Sequence, residues 1–172
     1  MELAGLRDFP AVAEPEETGT TFQENARLKA LYYAANVGAD VVSEDSGLVI
    51  DALDGEPGVH SARFLRPDAS YPERFAEIYR RLAERPTRPR TARFVCAIAV
   101  VKDGEVVYET TGVVEGEVAA APHGEAGFGY DPIFHYPPYG CTLAEVTEEK
   151  KLRVAHRGQA FRALADWLKG RL

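Results

Sequence analysis

Val41-Val42-Ser43-Glu44-Asp45-Ser46-Gly47-Leu48-Val49-Ile50-Asp51 sets two adjacent carboxylates between apolar runs. Val41-Val42 reads as the end of one strand and Leu48-Val49-Ile50 as the start of another, with a Ser-Gly bend between them. Carboxylates beside buried strands are costly to hold without a partner. Two readings fit. One is a site for hydrated Mg2+, which takes oxygen ligands from one or two carboxylates and completes its shell with water and phosphate. The other is a solvated turn hinged on Ser46-Gly47.

Outward from this stretch the chain alternates helix and strand signals. Upstream, Thr21-Phe22-Gln23-Glu24 has capping-box spacing and opens a helix to about Asn36, with Gly38 as its stop. Glu24 therefore has two roles on offer, cap or ligand. Downstream, Asp54-Gly55 and Pro57-Gly58 mark turns, and His60 and Arg63 follow as residues able to face phosphate. Ser70-Tyr71-Pro72-Glu73 opens a second helix that ends near Glu84. Ala92–Val101 is the strongest strand signal, nearly continuous in apolar residues and so central in its sheet. Asp103-Gly104 turns it into a return strand, on which Gly112 and Gly116 suggest bulges or strong curvature.

Two later clusters carry chemistry. Gly124-Glu125-Ala126-Gly127-Phe128-Gly129-Tyr130-Asp131-Pro132 frees the backbone for a close approach and offers aromatics to a planar ring; an aromatic-filled core loop reads the same way. Lys151, His156 and Arg157 form a basic cluster of the kind that holds phosphates, or an ordinary charged connection between helices. The last helix is expected from about Gly158 to Lys169, with Trp167 in the core.

Composition narrows the function. The 172 residues are 45% hydrophobic, enough for one domain with a sizeable core. A formal charge of -7 argues against a nucleic-acid polymer as partner, but not against a single nucleotide. Cys96 and Cys141 are isolated and match no metal-ligand spacing. No signal peptide or 18-residue apolar span is visible, so no membrane partner and a cytoplasmic location are expected. Neither G-x-G-x-x-G after a strand nor a P-loop occurs.

Taken together, the motifs resemble the inosine triphosphate pyrophosphatase family, the XTP/dITP diphosphatases. They are Glu16-Glu17-Thr18-Gly19-Thr20-Thr21-Phe22-Gln23-Glu24-Asn25-Ala26, Glu44-Asp45-Ser46-Gly47-Leu48, Pro57-Gly58-Val59-His60-Ser61-Ala62-Arg63-Phe64, Gly127-Phe128-Gly129-Tyr130-Asp131-Pro132-Ile133-Phe134, and Lys151 with His156-Arg157-Gly158. Each is weak alone; their order and spacing together are specific. The resemblance implies an ITPase-like (Maf/Ham1-type) α/β fold: an elongated mixed sheet flanked by helices, forming two lobes around a nucleotide cleft. It implies cleavage of ITP, dITP or XTP between the α and β phosphates, a Mg2+ cofactor and a homodimer. Asp45 is implied as catalytic acid-base and, with Glu24, as metal ligand. Ser46, Arg63, Phe128, Gly129, Tyr130, Asp131, Lys151, His156 and Arg157 are implied in substrate binding, with Phe128 against the base. A purine 6-keto oxygen would accept a bond from His156 or Arg157, where adenine's amino group would leave that donor unpaired.

Three departures stand out. Family members open with a strand and a Thr/Ser-x-Asn-x-x-Lys loop that grips the triphosphate, and residues 1–20 show neither, so 1–172 is expected to be a single domain that is short at its N-terminus. Ala155 replaces the usual serine before His-Arg. Ser43-Glu44 stands where many relatives have Ala-Asp. These leave two alternatives to an active enzyme of this type: a nucleotide-binding remnant impaired in turnover, and a Maf-type pyrophosphatase.

Overall fold

The computed structural model describes residues 3–171. Helix α1 (Phe22–Val37) starts at Thr21, whose side chain accepts from the Glu24 N–H while the Glu24 carboxylate returns to the N-cap; it stops at Gly38 in the left-handed region. Strand β1 (Val41–Ile50) follows. Helix α2 (Tyr71–Ala83) carries the second capping box, at Ser70 and Glu73, and buries Phe75, Ile78 and Leu82. Strands β2 (Thr91–Lys102) and β3 (Glu105–Val118) form a long hairpin. Its turn is Asp103-Gly104, both with positive φ, the twist-matched geometry expected of Asp-Gly. Short strands β4 (Phe134–Tyr136) and β5 (Cys141–Thr142) extend the sheet, and α3 (Glu148–Val154) and α4 (His156–Lys169) close the chain.

The sheet order is β1-β2-β3-β4-β5, and every pairing among the described residues is antiparallel. The α/β architecture expected from the sequence is present. The bend expected at residues 44–47 is not. Val41–Ile50 is one unbroken strand, paired residue for residue with β2 from Val41↔Val101 to Ile50↔Ala92. The long apolar β2 supplies an intact hydrogen-bonding partner, and that outweighs the local turn preference of Ser-Gly.

Strand alternation then sorts the side chains. Ala97, Ala99 and Val101 of β2 face α1 and pack on Phe22, Ala26, Ala30 and Ala34. Cys96, Ile98 and Val100 face the other way, onto Ala160 and Leu164 of α4. Leu48, Ile50 and Phe94 continue that second face into the largest core, with α2, Ile133 and Phe134.

Four further expectations change. Residues 148–154 form a helix where only a connection was expected, and α4 begins at His156 rather than near Gly158. Gly112 and Gly116 do not mark bulges; the one irregularity of the hairpin lies at Val100/Val101. They are there for close approach. A Cβ on Gly112 would lie 2.1 Å from the His156 carbonyl oxygen, and one on Gly116 2.5 Å from that of His135. Trp167 is half-buried at the edge of the core, stacked on Tyr108 with centroids 4.6 Å apart. Among the described residues, no helix is long and apolar enough to cross a membrane.

Candidate active site

A cleft of about 610 Å3 opens on the face of the sheet opposite α1. It is bounded by β1, the loop around residues 126–131 and the α3–α4 junction. Ser46, Phe128, Gly129, Tyr130, Asp131, Lys151, His156 and Arg157 all line it. The loop is shaped by Gly127 (φ 78°) and Gly129 (φ 69°). At Gly127 a Cβ would lie 2.3 Å from Asp131 Oδ2, so the turn closes only around glycine. The buried Asp131 carboxylate holds it shut, accepting from the Phe128 N–H at 2.8 Å and from the Lys151 ammonium. The Phe128 ring is left 62% exposed. Lys151 Nζ and Arg157 Cζ lie 4.9 and 5.2 Å from its centroid, cations within reach of its π-face. Tyr130 forms a fixed wall. It is buried, donates its hydroxyl to the Ser61 carbonyl at 2.9 Å and meets Tyr71 edge-on, and burial pushes its phenol up to about 12.

The first turn of α4 supplies the other wall. His156 stacks on Phe94 with centroids 5.0 Å apart. Burial, with Arg157 and Lys151 nearby, lowers its pKa to about 3, so the imidazole is neutral at physiological pH. Its Nδ1 is buried without a hydrogen-bond partner among the described residues, as is Arg157 Nε. Arg157 Nη2 donates to Ser46 Oγ at 2.9 Å and pairs with Glu44 Oε1 at 3.1 Å. A cleft that sets an open aromatic ring beside two cations and Ser46 suits a planar ligand rich in hydrogen-bonding groups.

Asp45 and Arg63 do not line this cleft. Because β1 is continuous, Asp45 projects to the α1 face while Glu44 and Ser46 project to the α4 face. The paired acids that read as one island serve opposite sides of the sheet. Asp45 accepts from Lys29 Nζ at 2.9 Å and from Asn25 Nδ2 at 3.3 Å. The same ammonium donates to Glu17 Oε1 at 2.7 Å, and Arg63 donates to Glu17 Oε2 at 2.9 Å. Burial raises the Asp45 pKa despite Lys29, and the Glu17 charge adds to the rise. Burial would also raise Glu17, but its bonds to Lys29 and Arg63 outweigh this and lower it. Glu17 meets both cations and Asp45 only the shared ammonium, so Asp45 is the less compensated of the two. A carboxylate so poised suits proton acceptance.

Glu24, expected beside Asp45 as a metal ligand, caps α1 through one of its oxygens. It is exposed, and its Oε2 accepts from the Thr20 and Thr21 N–H groups and the Thr20 hydroxyl, which lower its pKa. The second carboxylate beside Asp45 is Glu17. Among the described residues, no three His, Cys, Asp or Glu side chains cluster as a protein-only metal cage. Asp45 and Glu17 are hard oxygen donors of the kind that would hold Mg2+, with water and ligand completing its shell.

Sequence reasoning missed Glu17 and Lys29 as site residues. Lys29 did carry a signal: it lies one turn after the fully buried Asn25, beside the apolar stripe of α1. Glu17 sits in an extended acidic loop, and its only signal is its place in the family-matching motif.

Comparison with known proteins identifies the family. The model of the Ham1 family matches residues 1–167. A dITP/XTP pyrophosphatase of Halalkalibacterium halodurans is 42% identical over 168 residues, covering 98% of this chain and 87% of that one. One from Exiguobacterium sp. is 47% identical over 164 residues, covering 95% and 83%. Among solved structures, a HAM1 protein from Coxiella burnetii superposes with a TM-score of 0.89 at 40% identity, covering 92% of this chain and 82% of that one. The Staphylococcus aureus Ham1 protein gives 0.85 at 40% identity, covering 91% and 81%. With its sequence, sheet and helices matched over nearly their whole length, the chain belongs to the Ham1 family.

Proposed function

We propose that this protein hydrolyses purine nucleoside triphosphates carrying hypoxanthine or xanthine (ITP, dITP, XTP) between the α and β phosphates, releasing monophosphate and pyrophosphate. The observation that carries the reading is the division of labour between consecutive residues of β1. Ser46 opens into an aromatic and cationic cleft sized for a purine nucleoside, and Asp45 turns into a charged pocket on the other face. The proposed path of the triphosphate runs from the cleft at Ser46 towards the charged pocket at Asp45.

In this reading Phe128 stacks on the base. The neutral His156 and the oriented Arg157 offer hydrogen bonds to the 6-keto oxygen. An adenine amino group there leaves a buried donor unpaired, at a cost of about 1–3 kcal/mol. Lys29 and Arg63 meet the charge of the departing pyrophosphate, and Asp45 takes the proton from the attacking water. A bound Mg2+, held by Asp45 and Glu17, would neutralise phosphate charge. The protein would work in the cytoplasm as a homodimer, a state that light scattering measures directly.

The test is release of inorganic pyrophosphate from a panel of ITP, XTP, dITP, ATP, GTP and pyrimidine triphosphates with Mg2+. Rapid release from the first three and its loss in Asp45→Asn are expected. Release of orthophosphate instead, or equal turnover of ATP, would sink the reading.

A further inference from the structure

We infer that Glu44 is a positioning residue for the base-binding cleft: it holds the Arg157 guanidinium against the cleft wall from the opposite side of β1 to Asp45. For the reaction that it tunes, this rests on the function proposed above; for the geometry it does not.

The placement follows from strand period. Glu44 and Ser46 are two apart and share the α4 face, so both reach the first turn of that helix. Arg157 Nη2 meets both, at 3.1 Å from Glu44 Oε1 and 2.9 Å from Ser46 Oγ. The second carboxylate oxygen is also engaged: the buried Cys96 thiol donates to Glu44 Oε2 at 3.4 Å. Both oxygens are thus tied, and the carboxylate acts as a fixed bracket. Burial, with Glu44 nearby, holds the Cys96 pKa well up, so the thiol stays a donor at working pH.

Arg157 needs such a bracket. It sits at the N-terminus of α4, the positive end of the helix dipole, with Lys151 also near the same Phe128 ring. The exposed Phe128 ring attracts this cation but does not fix its direction. Glu44 supplies the opposing charge, and Ser46 a second acceptor that fixes the direction of approach. The guanidinium is thereby held 5.2 Å from the Phe128 centroid, with its buried Nε still unpartnered. That is a cation already ordered beside the ring, which a ligand would meet at no further ordering cost.

The experiment compares Glu44→Ala, Glu44→Gln, Arg157→Ala and the double variant Glu44→Ala/Arg157→Ala with the unaltered protein. Glu44→Ala should raise KM for ITP about 10- to 30-fold with kcat within about threefold, because orientation and not chemistry is lost. Glu44→Gln keeps the acceptor without the charge and should fall between. In the Arg157→Ala background the Glu44 effect should shrink below about twofold, as expected of residues acting through one contact. A fall in kcat at unchanged KM, or effects that multiply in the double variant, would overturn the inference.

A second arm needs no turnover. An arginine-specific dicarbonyl reagent is applied to ligand-free protein, and Arg157 labelling is read by peptide mass spectrometry. Freed from Glu44, Arg157 should label at least about threefold faster, roughly what losing a fraction of a charge-assisted bond gives. An unchanged rate refutes the bracket whatever the kinetics. If Glu44→Ala does not fold, Glu44→Gln carries both arms. Absence of ITP turnover in the unaltered protein counts against the proposed function, and labelling still decides the role of Glu44.

Discussion

Acidification should destabilise this protein through His156. The ring is buried against Phe94, and both neighbouring charges, Arg157 and Lys151, are cationic, so its pKa falls from 6.5 to about 3. The sign follows from linkage. Between those values the unfolded chain binds a proton that the folded one refuses, so stability is present above the unfolded pKa and lost as pH falls towards the folded one. From pH 7 to pH 5 the unfolded imidazole goes from mostly neutral to almost fully protonated, while the folded one stays neutral. The resulting loss is about 2 kcal/mol. For a chain of this length that is roughly 4–8 °C in Tm. The assay is urea unfolding at half-unit pH steps from 7.5 to 5, run in parallel on His156→Phe. Phenylalanine keeps the aromatic stack and removes the titration, so the difference between the two curves isolates the imidazole from Asp45 and Glu17. Parallel curves for the two proteins over this window would refute the reasoning.

Two further perturbations test packing and the charged pocket. In Gly112→Ala the new Cβ would meet backbone atoms of α4, at 2.1 Å from His156 O and 2.7 Å from Ala160 N, so the helix itself must move. A stability loss of about 1–3 kcal/mol is expected, with reduced kcat/KM because His156 and Arg157 move too; a melting temperature within a degree of the original contradicts the close approach. Lys29→Met leaves Glu17 and Asp45 facing one another without their shared cation. It should cost about 1–3 kcal/mol, discounted for partial exposure of the pocket. Mg2+ should then raise the melting temperature of this variant more than that of the original, by scanning fluorimetry with and without the ion. No Mg2+ response in either protein would exclude this carboxylate pair as the metal ligands.

Features decided within a few residues were legible in the sequence. Both capping boxes, the Gly38 stop and the Asp103-Gly104 turn form as read, because each depends on hydrogen bonds or φ values inside one turn of chain. The cleft residues 128–131, 151, 156 and 157 were legible as motifs, since a glycine-rich aromatic loop and a basic cluster announce their chemistry by composition. What the sequence could not convey is which way the side chains face and whom they meet. Glu44-Asp45-Ser46-Gly47 has the local character of a turn, and only the ten-residue pairing with β2 makes it a strand. That single fact sends Asp45 to Lys29 and Glu44 to Arg157, on opposite faces. The pocket joining Glu17, Lys29, Asp45 and Arg63 spans 46 residues of chain and has no local signature. The sequence by itself thus determined the two capped helices, the Asp103-Gly104 turn and the family of chemistry. Tertiary structure alone decided which acid works with which base, because strand register and helix packing are set by long-range burial rather than by neighbours along the chain.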